Sequence, residues 1–469
     1  MCRKLGCFMC TLGKNGILRQ PFLYLITIFI VLTGCSGNSS NSLKEEQKKN
    51  VGVAMTQIDW MSTWTFRKGK RKLVEDAARE YEILNQNIKI NLKFTQELWK
   101  NVNSAEQPFQ HILSMIQSGK TDWDIVNLDK QTYTNISASL KDDKWTAKYL
   151  VNFEEFDWFR ESHKSSVIND SKYRQSWGGI LPGPLIEGYY HAFWYNKKVA
   201  ERIGLHIKPM GMTFDDLVGY ISKAYEYNKT AAQKVILLLE ATPSKIKTDL
   251  LNSLIISALG NIDTSKIDRV HNLAALKRAL LAMEKLARYK PLDMVTSINK
   301  DVDPLLDEKA LFGIFPSTTY NIWEATDKEK IKNVVPVELP VFETPGIFYI
   351  GSYQSVWAVF KNAPHREEAI RLIRFMCSND IAERWVSNTK NPTALNVRID
   401  ASAFGQDEIE KFNKEIERKY QGKLTIYNIS KILFGSQSSV TIDGLPILRG
   451  DISADNYYDQ VLKESRKKK

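Results

Sequence analysis

The hydrophobic pattern between Val51 and Asp129 switches repeatedly between a strand-like period of two and a helical period, and this constrains the fold more than anything else in the chain. VGVAMTQIDW reads as a strand running into a turn. From Lys68 to Leu84 a helix is predicted, with Leu73, Ala77, Tyr81 and Leu84 forming one apolar stripe. Ile88-Lys89-Ile90-Asn91-Leu92 alternates as a strand does. A second helix follows, with Phe109, Ile112, Leu113 and Ile116 on one face and Gly119 at its end. The run Asp124 to Asp129 closes the series as a short strand. A β-α-β-α-β order demands a mostly parallel sheet covered by helices, an α/β layer. Ligands of such sheets sit beyond the carboxyl ends of the strands, which brings Trp60, Trp64 and Asp129 to one rim.

The pattern continues downstream. Thr213-Phe214-Asp215-Asp216 opens a helix with a capping residue and an acid three positions on. Leu273 to Tyr289 is a further amphipathic helix before Pro291, and Arg366 to Ser378 carries Ala369, Leu372, Ile373 and Met376 on one face. With 469 residues, 43% hydrophobic and 25% charged, the chain can bury sizeable cores in two or three domains.

The N-terminal region reads differently. FLYLITIFIVL (residues 22–32) is too short to span a bilayer, but it follows a basic start and suits a signal peptide. Leu32-Thr33-Gly34-Cys35 resembles a bacterial lipobox, which implies a signal over 1–34, lipidation of Cys35 and a polar tether over 35–50. An ordinary cleaved signal is the alternative. Of the five cysteines, Cys2, Cys7 and Cys10 leave with the signal, and Cys35 becomes a thioether. Cys377 alone remains, so no internal disulfide is expected. The formal charge of +11 is concentrated at the ends: Arg3, Lys4, Lys14 and Arg19 in the signal and Arg466 to Lys469 at the C-terminus. The mildly basic body argues against a nucleic-acid partner, and the basic tail reads as a solvated end.

Common catalytic signatures are missing. The chain has no GxxxxGK[ST], no GxGxxG after its first strand and no GxSxG. None of the six histidines lie three or four apart, so no helical zinc pair forms, and no cofactor or metal is expected. Cys377 reads as core. A carboxylate pair for glycan cleavage could still come from Asp142-Asp143, Glu154-Glu155 or Asp157, although acidic clusters are more often solvated faces.

Eleven tryptophans and 11% aromatic residues offer a different chemistry. Trp60, Trp64, Tyr189, Tyr190, Tyr320, Trp323 and Tyr353 fall where turns or strand ends are predicted, and flat apolar faces suit the C–H faces of sugar rings.

An ordered series of motifs resembles the sugar-binding solute receptors of ABC importers, the family that includes maltose-binding protein. Met115 to Val126 is similar to the family's G-x-x-P-D-V step, with Trp123-Asp124 in place of Pro-Asp. Gly179-Ile180-Leu181-Pro182 runs on to Phe193-Trp194-Tyr195-Asn196-Lys197, then to Gly204-Leu205, Pro209 and the Thr213 to Leu217 helix start. Lys309 to Ile314 resembles the step before the second crossing, without its glycine, and Gly351 to Val359 with the Glu367 to Met376 helix resembles the closing segment. The resemblance implies a periplasmic-binding-protein-like fold: two α/β lobes, each a mostly parallel sheet flanked by helices, with a ligand cleft between them. Residues 51–185 plus 316–362 would form the first lobe and 186–315 plus 363–469 the second. The implied cleft residues are Trp60, Trp64, Asp129, Tyr189, Tyr190, Tyr320, Trp323, Ser352 and Tyr353, whereas Tyr195-Asn196 would start a helix.

The function so implied is capture of a carbohydrate by a monomer tethered through Cys35 to the outer face of the cell membrane, and its delivery to permease subunits without catalysis. A lipid-anchored glycan-cleaving enzyme and a non-transport sensor or scaffold on the same fold are the alternatives.

Overall fold

The structure, a computed structural model, describes residues 55–64, 68–98, 106–239, 249–260, 269–291, 303–342, 349–354, 357–398, 405, 407–425, 429–435 and 440–467. The expected signal peptide, Cys35 and the expected tether lie outside the described residues. The segment from Val53 to Lys469 is one compact unit.

Ten strands are described: β1 (Thr56–Ser62), β2 (Ile88–Phe94), β3 (Ile125–Asn127), β4 (Glu187–Asn196), β5 (Ile236–Leu239), β6 (Ala310–Pro316), β7 (Val334–Val337), β8 (Tyr349–Gln354), β9 (Trp357–Val359) and β10 (Leu424–Thr425). The first sheet has the order β2-β1-β3-β9. β1 pairs in parallel with β2 from Thr56↔Ile88 to Ser62↔Phe94, and with β3 at Trp60↔Ile125. Only β9 runs antiparallel, against β3. The expected parallel layer is therefore present here. Its helix Lys68–Leu84 buries Leu73, Val74, Ala77, Ala78 and Tyr81. Leu84, which the spacing assigned to the stripe, ends that helix and is 70% exposed. The next helix, Glu106–Ser118, stops at Gly119, whose φ of +70° is the left-handed value a helix terminus favours. Asp124 is buried and accepts the backbone N–H of Asp59 (3.0 Å) and of His365 (2.8 Å), so the Trp123-Asp124 step ties β1 to the start of helix Arg366–Met376.

The second sheet, β10-β8-β4-β6-β5 with β7 also on β4, is mixed rather than mostly parallel. β4 is its long central strand, and β6, β7 and β8 all run antiparallel to it. Only β5 with β6 and β10 with β8 are parallel pairs. The reason lies in connectivity: strands that carry the chain back past β4 must run against it, and local periodicity does not record direction. Strand alternation also lets β4 serve two cores, since Phe193 enters the cluster around β5 and β6, while Trp194 enters the cluster that extends to the first sheet.

The predicted capping signals hold. Thr213 accepts the Asp216 N–H and Asp216 accepts back, a complete capping box on helix Phe214–Thr230. Asn196 caps helix Lys197–Ile203 by accepting the Val199 N–H at 3.1 Å. The C-terminal third divides differently from the expected assignment of 363–469 to the second lobe. Helix Asn379–Thr389 packs on Lys68–Leu84, and Ile409, Phe412 and Ile416 also join the first core. From Ile429 onward the chain joins the second core, where helix Ala454–Lys467 packs on Arg269–Ala287. An amphipathic stripe specifies that a helix has a buried face, but not which surface covers it.

Candidate functional site

A cavity of about 280 Å³ opens where residues 170–177 and Lys130 face β4, β8 and β10. Its size is near the lower end for small-molecule sites. Each wall follows from a local rule. On β4, Tyr189 and Tyr190 point to opposite faces. Tyr189 lines the cavity, whereas Tyr190 is fully buried and donates its hydroxyl to Asn413 Oδ1 at 2.6 Å. Beside it, β8 supplies Ser352, Tyr353 and Gln354. The close approach of β8 depends on Gly351, because a Cβ there would lie 2.3 Å from the Tyr189 carbonyl oxygen.

The opposite wall begins at Asp170, which caps the short helix Ser171–Gln175 by accepting the Lys172 N–H at 3.0 Å. Tyr173 then turns inward and donates to the Leu424 carbonyl at 2.8 Å, its ring 6.1 Å from that of Tyr353. Tyr353 itself donates to the Gly422 carbonyl at 3.0 Å. Trp177 follows, edge-on to Tyr133 with ring centres 5.4 Å apart. The chain leaves through Gly178 and Gly179 at φ +72° and +100°, and a Cβ on Gly178 would meet the Asp143 carbonyl oxygen at 2.3 Å.

Burial raises the pKa of Tyr173 and Tyr353, and also that of Tyr189, to which the charges of Asp249 and Glu187 add. All three phenols are neutral at ordinary pH and present flat apolar faces with one polar tip each. Lys130 is an exposed residue, but its ammonium lies 4.2 Å from the ring centre of Tyr133 and 5.3 Å from that of Trp177, and desolvation lowers its pKa. The cavity thus combines aromatic faces with hydroxyl, amide and ammonium groups, an arrangement that can stack and orient a polyhydroxylated ring.

The structure brings Tyr189, Ser352 and Tyr353 together from the nine cleft residues expected. Asp129 adjoins Lys130 and caps helix Lys130–Leu140, accepting the Thr132 N–H at 2.7 Å. The other five expected residues lie in the core. Trp60 is fully buried and edge-on to Trp357 at 5.1 Å. Trp64 packs between Trp357 and Trp385, at 5.6 and 5.3 Å. Tyr190 sits under Phe412, Tyr320 lies along Trp194, and Trp323 donates its indole N–H to Asp303. Each satisfies the rule that large aromatics dominate cores, which acts on the same residue type that a sugar site needs. Lys130, Tyr173 and Trp177 were not expected. The signal available for the last two was an aromatic pair directly before Gly178-Gly179, a turn ahead of β4.

Three of the five carboxylates considered for glycan cleavage form ion pairs elsewhere: Glu154 with Arg174, Asp157 with Arg160 and Asp142 with Lys148. None of them lines the cavity. Among the described residues, no group of three His, Cys, Asp or Glu side chains is arranged to hold a metal ion. Cys377 is buried, and burial raises its thiol pKa.

Residues 64–383 match the family model of bacterial extracellular solute-binding proteins. The chain belongs to that family. Solved structures similar to this solute-binding protein include MalE, a sugar-binding protein from Xanthomonas citri, at a TM-score of 0.60 and 10% identity over 88% of this chain and 97% of that one. Apo RafE from Streptococcus pneumoniae matches at 0.57 and 14% identity, over 88% and 98% of the two chains. The GacH receptor of Streptomyces glaucescens matches at 0.57 and 11% identity, also over 88% and 98%. These likenesses establish the two-lobed α/β fold. No curated protein sequence matches the chain. As a member of this family the protein acts outside the cytoplasm, and among its described residues no helix is long and apolar enough to cross a membrane.

Proposed function

We propose that this solute-binding protein captures an oligosaccharide for an ABC importer, held at the outer face of the membrane by a lipid on Cys35. The observation that carries the reading is the cavity itself, where Tyr173, Trp177, Tyr189 and Tyr353 converge from both sides of a cleft in a chain of this family. Further support comes from two proteins of the same fold, GacH, described in complex with acarbose, and RafE, described in complex with raffinose. Sugar rings stack on the aromatic faces, and Ser352 and Gln354 bond hydroxyl groups. Binding favours the closed state by contacts to both walls, and a permease reads closure. No covalent step is needed.

A thermal-shift screen of the mature chain against oligosaccharides tests this. A sugar present at about 100 times its Kd stabilises the fold by roughly 2.7 kcal/mol, which a melting curve resolves. Saturable stabilisation by oligosaccharides, with the sugars recovered intact, is the expected outcome. No shift with any sugar removes the carbohydrate assignment, and shortened products favour the hydrolase.

A further inference from the structure

The charges around the cavity are unbalanced, and the imbalance bears on what the solute carries. Lys130 donates to the Ser176 carbonyl and lies over the Tyr133 and Trp177 rings, and no carboxylate among the described residues pairs with it. The one carboxylate that lines the cavity among the described residues, Asp170, accepts the Lys172 N–H and faces the Lys172 ammonium at 3.4 Å. Of the acids nearby, Glu187 pairs with Lys70, whereas Asp249, whose Oδ2 lies 2.5 Å from His191 Nδ1 without a hydrogen bond, does not line the cavity. Among the described residues that line the cavity, Lys130 and Lys172 against Asp170 leave an excess of one positive charge.

We infer that the bound oligosaccharide is acidic, with a carboxylate on one sugar ring seated against the Lys130 ammonium while a neighbouring ring stacks on Trp177 or Tyr189. The inference rests on the sugar reading above and narrows its substrate class. Lys130 is held in place before the ligand arrives, by one carbonyl and two ring faces, and an ammonium has three donors. Two remain for an anion, and charge-assisted bonds of this kind are about twice as strong as neutral ones. Desolvation of the ammonium has the sign expected where a counter-charge is lacking. A neutral sugar would fill the same aromatic walls and leave that charge unmatched.

The test is calorimetric titration of the mature chain with oligogalacturonides, other oligouronides, the methyl esters of both, and neutral oligosaccharides of equal length. The inference predicts saturable binding of an oligouronide, at least about tenfold weaker binding of its ester, and loss of that preference in Lys130→Gln. Lys130→Arg retains the preference, which separates a charge requirement from a damaged fold. Neutral sugars bound as tightly as uronides, or a preference undiminished in Lys130→Gln, overturns the inference and leaves the sugar reading intact. Failure of every acidic and neutral sugar to bind overturns both.

Discussion

Tyr189 and Tyr190 are neighbours on β4 with opposite surroundings, one beside the cavity and the other donating to Asn413 from the core. Their substitutions should therefore separate. Tyr189→Ala is expected to weaken sugar binding about tenfold, equivalent to about 1.4 kcal/mol, with little change in melting temperature. Tyr190→Phe should leave affinity unchanged and cost about 1–3 kcal/mol of stability, because Asn413 loses a buried partner. Calorimetry and denaturant unfolding read the two effects. A second residue-scale expectation concerns His163, which is buried and donates from Nδ1 to the Phe159 carbonyl (2.7 Å) while Nε2 accepts the Leu185 N–H (3.2 Å). Burial lowers its pKa from 6.5 to about 4. The unfolded chain thus takes up the proton first, and stability present above pH 6.5 is lost as pH falls towards 4. The loss attributable to this residue is roughly 3 kcal/mol, and the difference between wild type and His163→Gln in urea midpoints from pH 7.5 to 4.5 measures it. The tyrosine pair also shows what a linear pattern conveys. Sequence placed aromatics at strand ends, and three of the nine expected residues do line the cavity. Which face of a strand looks into the cavity, and which tryptophans are absorbed by packing against Trp357 and Trp385, depends on contacts between segments some 300 residues apart.

At the scale of elements, β8 must lie close against β4 for Ser352 and Tyr353 to reach the cavity, and Gly351 permits that approach. Gly351→Ala would place a Cβ against backbone rather than a movable side chain, 2.3 Å from the Tyr189 carbonyl oxygen and 2.8 Å from Tyr190 Cα. The expected result is destabilisation of about 1–3 kcal/mol together with weakened sugar binding. Unchanged melting and affinity would show that the pairing of β4 with β8 does not position the site. Elements whose signal is local were legible from sequence: helix Lys68–Leu84, the parallel β1 and β2, the capping box at Thr213 and the cap at Asn196. The antiparallel partners of β4 were not, because strand direction follows from the path of the chain. The same limit applies to the helices after residue 363, which share out between two cores.

For the whole molecule, the proposed function needs a chain fixed at one end and free to bind at the other. If Cys35 carries the lipid, labelled palmitate is incorporated by wild type and not by Cys35→Ser, and the variant is recovered in the soluble fraction. Two cores meet along β4, where Phe193 enters one and Trp194 the other. Sugar capture at this cavity is tested by calorimetry with the sugar selected by the thermal screen, on wild type, Tyr189→Ala and Trp177→Ala, with the sugar recovered and analysed afterwards. Saturable one-to-one binding of an unaltered oligosaccharide, weakened in both variants, is the expected outcome. Undiminished binding in both variants, or recovery of a shortened sugar, would contradict it.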